Sequence, residues 1–397
     1  MRISTAGFHG AALAQIMAKS TALAKTQNQI ASGSRIITPA DDPIGAAQAL
    51  EIDRALAESK QHERNTIAAT NRLSFEEQAL TDAGSLLQRV RDLAVAANNP
   101  TLDDAARRSI MSEVQVRLQD LVDIANRRDT NGEYLFSGYS TMTRPFAVNG
   151  TAVTYNGDEG TRVLQTGPSQ RVTDGHAGSY VFMQIKQGNG TFVTGAAGTN
   201  TGGGTIDGGS VVNMTAWTPD NYTIEFTSPT TYRVLDGTAT EIATGTYSQG
   251  GSIAFNGIEV RIDGTPETND VFTVSPSGTE DMFTTVNNML ASLQRSSDST
   301  AQNALFATEM GNTIAQIDNA MERLRDIRSE VGARLSVLSD AVDTQADRQL
   351  DLKTQLSQIR DLDYAEAITT LNIQLAGLQA AQQSYAKISG LNLFNYL

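Results

Sequence analysis

Apolar residues recur at helical spacing from about Met1 to Asn131 and again from about Thr279 to Leu397, while the stretch between them changes period. Leu13, Ile16, Leu23 and Ile30 fall on alternating three- and four-residue steps once Ser20 and Gln27 fill the gaps, predicting a helix with a weakened heptad stripe. Gly33 interrupts it, and Thr38-Pro39-Ala40-Asp41-Asp42-Pro43 reads as a loop. Asp42 suits a helix N-cap, with Pro43 at the first helical position, where its missing N–H costs nothing. Ile52, Leu56, Leu73, Leu80, Leu87 and Val90 carry that helix to about Ala97, and Asn98-Asn99-Pro100 stops it. Thr101 and Asp104 suggest the cap of a third helix, faced by Ile110, Val114, Leu118, Leu121 and Ile124 and ending near Asn131-Gly132.

The middle is strand-like. Phe146-Ala147-Val148, Asn149-Gly150 and Ala152-Val153-Thr154-Tyr155 read as strand, tight turn, strand. Asn156-Gly157, Asn189-Gly190 and Asn256-Gly257 repeat the cue; 222–226, 232–235, 253–255 and 258–262 are further strands. Gly195 to Gly209 lacks periodicity and is expected to be a mobile loop. Helix returns after Ser277-Gly278-Thr279-Glu280, a box-like start, with Met282, Phe283, Val286, Met289, Leu290 and Leu293. From Ile314 to Ile359 the apolar alternation is broken only by Arg328, Gln345 and Gln349. The phase slips at Asp361 to Asp363, and Ile368, Leu371, Leu375, Leu378 and Tyr385 form a last stripe.

A long helical stripe cannot bury its apolar side alone, so the outgoing and returning helices are expected to pack together. The predicted fold class is α+β: a helical coiled-coil or bundle rod from the terminal segments, with an inserted all-β domain. The expected divisions are a terminal coiled coil (1–40 with 363–397), a helical rod domain (41–138 with 279–362) and the β insertion (139–278). Each extreme end is one amphipathic segment, and a pair of them still leaves apolar surface for neighbouring copies. The candidate assembly residues are therefore Leu13, Ile16, Leu23 and Ile30, with Leu371, Leu375, Leu378, Tyr385, Ile388, Leu391, Leu393, Phe394, Tyr396 and Leu397. Apolar residues at a C-terminus call for a cover, since termini are normally solvated.

A net charge of −14 argues against nucleic acid or an anionic membrane as partner, because phosphate binding needs clustered Lys and Arg. Without cysteine there is no disulfide or thiolate metal site. No apolar run is long enough to span a bilayer. Ala22-Leu23-Ala24 imitates a signal-peptidase site, but His9, Gln15 and Lys19 interrupt the apolar region such a peptide needs. The three histidines lack metal-ligand spacing and are expected at the surface. Asp340, Asp343, Asp347 and Asp351 form an acidic helix face that reads as solvated, since calcium sites are normally built from turning loops. Asp41/Asp42 and Asp361/Asp363 lie where helices start or break, so capping explains them better than acid–base catalysis. Neither an enzyme nor a cofactor is expected.

Several sequence words point further. Gln29-Ile30-Ala31-Ser32-Gly33-Ser34-Arg35-Ile36 and Pro39-Ala40-Asp41-Asp42-Pro43 resemble the N-terminal signature of flagellin-related axial proteins of the bacterial flagellum. The stretch 131–138 (Asn-Gly-Glu-Tyr-Leu-Phe-Ser-Gly), then Arg144-Pro145-Phe146, is similar to the hook–filament junction branch of that family. Residues 328–335 (Arg-Ser-Glu-Val-Gly-Ala-Arg-Leu) and the Leu393-Phe394-Asn395-Tyr396-Leu397 ending fit the same branch; 139–280 carry no comparable motif. The resemblance implies an extracellular flagellar subunit, exported unfolded without a cleaved signal. It implies a ring of about eleven copies between hook-associated protein 1 and flagellin, its ends paired in an inner tube. It also implies ends disordered before assembly and a cytosolic export chaperone for the C-terminal segment. The alternatives are flagellin itself, or a carbohydrate-binding or adhesive β insertion with Trp217, Tyr222 and Tyr232 as stacking aromatics rather than strand core.

Overall fold

The computed structural model describes residues 5–99, 102–295 and 299–390. Its helices are α1 (Thr5–Ser32), α2 (Pro43–Ala97), α3 (Asp104–Ala125), α4 (Gly178–Phe182), α5 (Met282–Leu293), α6 (Thr300–Arg360) and α7 (Tyr364–Gly390). Long helices at both ends flank a β-rich middle, and the fold is α+β. The chain divides into two compact units, one from residues up to 65 with those from 340 on, the other from 66–339; α2 and α6 contribute to both.

Local chemistry sets the helix ends. The Asp42 carboxylate accepts the Gly45 N–H at 2.9 Å, so α2 starts as its sequence dictates. The cap of α3 is Asp103, whose carboxylate accepts the Ala106 N–H at 2.7 Å; Thr101 lies outside the described residues. That helix stops at Ala125, short of Asn131, because the Asn126 amide turns back to the Val122 carbonyl (2.9 Å) and reaches the Phe146 carbonyl (3.0 Å). α5 is capped by Asp281, while Thr279 and Glu280 pair with Lys186 and Ile185 as a short antiparallel bridge.

The unit of residues 66–339 holds two apolar cores. In the first, Leu73, Leu80, Leu87 and Val90 of α2 meet Val114 and Leu121 of α3, Phe283 and Val286 of α5, and Met310, Ile317 and Leu324 of α6. The loop after α3 plugs one part of it with Leu135 and Phe136. Arg72 holds that loop by donating to the Tyr134 and Leu135 carbonyls at 3.0 and 3.1 Å. The same guanidinium lies 3.5 Å from Asp129, 3.6 Å from Glu133 and 3.9 Å from Asp174, so its burial is compensated. His176 is buried as well, 2.7 Å from Glu76 and 3.2 Å from Glu330. His62 is also buried, beside Glu58 at 3.8 Å. Both correct the expectation of surface histidines: nearby carboxylates, most of them distant in sequence, let the rings leave water.

The second core lies in the β segment. A five-stranded antiparallel sheet runs Glu241–Thr246, Thr231–Leu235, Tyr222–Ser228, Val271–Pro276, Phe192–Ala196. A second sheet pairs Ser252–Phe255 with Ile258–Asp263, which also takes Thr205–Ile206 and Ser210–Val211. Alternation puts Tyr222, Ile224 and Phe226, with Ile258, Val260 and Ile262, into one core. Asn256 and Gly257 turn the hairpin with φ of 43° and 79°, as a two-residue turn between right-twisted strands requires. Trp217, Tyr222 and Tyr232 pack on this core. Gly195 to Gly209 contains strand segments and is clamped: the Asp270 carboxylate accepts N–H groups of Thr201 (2.8 Å) and Gly202 (3.1 Å). A free loop was expected there; Asp270, far along the chain, supplies the partner.

Candidate assembly interface

The unit of the chain ends is built differently. Among its described residues the buried ones are Thr26, Gly45, Ala49, Ser59, His62, Ala341, Gln345, Gln349 and Ala367, every one small or polar. The two glutamines that interrupt the α6 stripe are paired there: Ser59 donates to Gln345 at 2.7 Å, and the Gln349 amide donates to Glu63 at 2.7 Å. No large aliphatic side chain and no Phe, Tyr or Trp of this unit is buried among the described residues.

Within it α1 packs against α7. Thr26 donates to Gln374 at 2.9 Å, and His9 meets Tyr385 edge-on with ring centroids 5.9 Å apart. Of the residues singled out from the sequence, Ile16, Leu23, Ile30, Leu371, Leu378 and Tyr385 are half-buried. Leu13 keeps 45% of its surface exposed and Leu375 36%. Ile388, Leu391, Leu393, Phe394, Tyr396 and Leu397 have side chains outside the described residues. The sequence stripe missed Met17 (61% exposed) and Ile373 (68%), which sit off the heptad positions. Exposed apolar residues on the far side of an already paired helix are the signal that could have found them.

A clasp joins the two chain reversals of this unit. Ser34 and Asp361 form an antiparallel bridge, with the Arg35 N–H donating to the Arg360 carbonyl (2.8 Å) and the Leu362 N–H to the Gly33 carbonyl (3.1 Å). The Arg35 guanidinium adds a bond to the Ile359 carbonyl at 2.8 Å. Gly33 has φ of 67°, and a Cβ there would stand 2.9 Å from the Tyr364 hydroxyl. Asp41 accepts the Thr38 N–H (2.8 Å) and pairs with Lys25 (2.8 Å). Lys25 first, then the Thr38 N–H, holds its carboxyl well below the usual carboxylate range. Asp363 caps α7 through the Ala365 and Glu366 N–H groups. Of the paired carboxylates at the two reversals, Asp41, Asp42 and Asp363 accept backbone N–H groups, while Asp361 accepts the Ser357 hydroxyl.

Comparison with known proteins gives this arrangement its context. The family model for the bacterial flagellin N-terminal helical region matches residues 3–141, and that for the C-terminal helical region matches 314–397. Flagellar hook-associated protein 3 of Salmonella typhimurium is 24% identical, the match covering 99% of each chain. The crystal structure of FlgL from Xanthomonas campestris is 35% identical with a TM-score of 0.74, covering 77% of this chain and 99% of that one. The flagellar junction protein FlgL from Legionella pneumophila is 32% identical with a TM-score of 0.72, covering 79% and 100%. The chain belongs to the hook-associated protein 3 family. As such it is a structural protein of the bacterial flagellum. The β insertion also has a counterpart, which its sequence words did not reveal: residues 196–276 match the D2-like domain of flagellar hook-associated protein 1. Among the described residues no helix is long and apolar enough to cross a membrane.

Proposed function

We propose that this hook-associated protein 3 family member forms a ring at the hook–filament junction, seated between hook-associated protein 1 and flagellin, outside the cell. The observation that carries the reading is the unit of the chain ends, whose described residues bury no large apolar side chain while Leu13, Met17, Ile373 and Leu375 stay exposed. Burying a Leu or Ile contributes roughly 1.5–3 kcal/mol. Ordering a residue costs about 1–2 kcal/mol. A hairpin that withholds its apolar residues from its own core gains them back only against neighbours, so α1 and α7 pair as the inner layer and lateral contacts complete it. The apolar ending Leu391 to Leu397 joins the same cover. A cytosolic chaperone masking that C-terminal segment before export, without a cleaved signal, fits a chain whose ends are greasy until assembled.

Deletion of the gene, followed by electron microscopy and assay of the medium, tests the reading. The expected result is intact hooks without filaments and flagellin lost to the medium, both reversed by the full-length chain. Normal filaments on deletion cells would overturn it.

A further inference from the structure

A cavity of about 300 Å³ opens between α5, α6 and the strand segments at 185–196, all within the unit of residues 66–339. That volume is at the lower end of the range in which proteins hold small ligands. Its lining is largely polar, and its charged groups are Glu280, Glu309 and Arg295. Two anions against one cation leave one negative charge. Arg295 pairs with Glu309, which also accepts the Ser292 hydroxyl at 2.6 Å. Glu280 has only neutral partners among the described residues: the Gln187 amide at 2.9 Å, the Thr285 hydroxyl at 2.9 Å and the Asn288 amide at 3.4 Å. It is a carboxylate without a counter-ion.

Gln316 lines the same cavity. It is 5% exposed, its side chain makes no hydrogen bond among the described residues, and its amide nitrogen is buried without an acceptor. Such an amide costs folding free energy that an apolar residue of the same shape would not. Asn312 donates its amide N–H to the Thr194 carbonyl at 2.7 Å, and Asn288 donates its own to Glu280, so both amide oxygens are left without donors among the described residues. The unused hydrogen-bonding capacity around Glu280 is therefore mainly acceptor.

We infer that this cavity takes an alkyl guanidinium, the side chain of an arginine carried by a neighbouring subunit of the flagellum. A guanidinium is always charged and spreads its N–H donors over a planar fork, so it serves one carboxylate and several amide oxygens together. An ammonium concentrates its donors at one point and matches such a spread of acceptors less well. Walls of protein strengthen the pairing with Glu280 relative to an exposed ion pair. Outside the cell a free cation is diluted, whereas an assembled neighbour holds its side chain at high effective concentration. Only the source of the arginine rests on the assembly reading; the chemistry of the cavity stands apart from it.

N-Propylguanidinium, the arginine side chain alone, is titrated calorimetrically into the full-length monomer. The expected result is saturable binding at one site with a Kd on the order of 1 mM, and none of its uncharged isostere N-propylurea. Glu280→Gln weakens the binding about tenfold. Gln316→Met removes no bond of the monomer, so it raises the melting temperature while weakening the binding about fivefold. Absence of guanidinium binding, equal binding of the urea, or a Gln316→Met variant that binds like wild type overturns the assignment. For the source, Asn288→Cys places a single thiol on the exposed rim of a chain that has no cysteine of its own. It is expected to react with maleimide in the monomer and to be protected in isolated flagella; equal labelling in both overturns the neighbouring arginine. A wild-type chain that fails to restore filaments to deletion cells would instead strike the junction reading, leaving the binding results untouched.

Discussion

At the scale of single residues, two positions show how differently the two units are held. Phe136 is fully buried in the first apolar core, with Phe182 edge-on at 5.1 Å. Phe136→Ala removes an aromatic ring from a packed core and is expected to cost about 3–5 kcal/mol in denaturant unfolding. Asp41 acts through charge and hydrogen bonds on a solvated loop. Its folded carboxyl lies below its unfolded value, so its stabilisation is present above about pH 4 and is lost as pH falls toward the depressed value. Asp41→Asn is expected to lower the melting temperature at neutral pH, the gap to wild type narrowing on acidification. A gap independent of pH contradicts that origin. Asp41 and Asp42 were legible as capping residues, because a turn carries its chemistry within a few positions. The ion cluster of Arg72 and the partners of His176 were not, because Asp174 and Glu330 lie far along the chain.

At the scale of elements, the long helices were read closely, and their ends less so. The α2 span follows from a strong cap, a sustained stripe and an Asn-Asn-Pro stop; α5 went astray because Thr279-Glu280 has the spacing of a capping box but serves a strand pair. The hairpin at Asn256-Gly257 was legible for the opposite reason, since only a narrow set of residues accepts two positive φ values in succession. A Cβ at residue 257 would stand 2.2 Å from the Asn213 carbonyl oxygen. Gly257→Ala is therefore expected to destabilise the β core by about 1–3 kcal/mol. Trp217, the single tryptophan, packs on that core and reports the change by fluorescence, while far-ultraviolet circular dichroism from the helices stays unaltered.

At the scale of the whole molecule, the buried large apolar side chains are confined to one of the two units among the described residues. Residues 66–339 contain both apolar cores, whereas the unit of the chain ends packs its interior with alanine, glycine, threonine, serine, glutamine and one histidine among its described residues. The stripe of α1 and α7 was visible in the sequence, but periodicity alone does not tell a buried stripe from one awaiting a partner. The exposure of Leu13, Met17, Ile373 and Leu375 is what supports the proposed partner. Removing residues 1–40 and 363–397 is accordingly expected to leave the unfolding free energy of the remainder unchanged within about 0.5 kcal/mol while abolishing filament retention. A large loss of stability on truncation would show that the ends serve the monomer.

Hydrogen exchange followed by mass spectrometry on the dilute full-length monomer and on isolated hook–filament junctions compares the two states most directly. The account predicts rapid exchange in 5–32 and 364–390 of the monomer, strong protection in α2, α3 and α6 within 66–339, and protection throughout once assembled. Slow exchange of both terminal helices in the solitary monomer would contradict it.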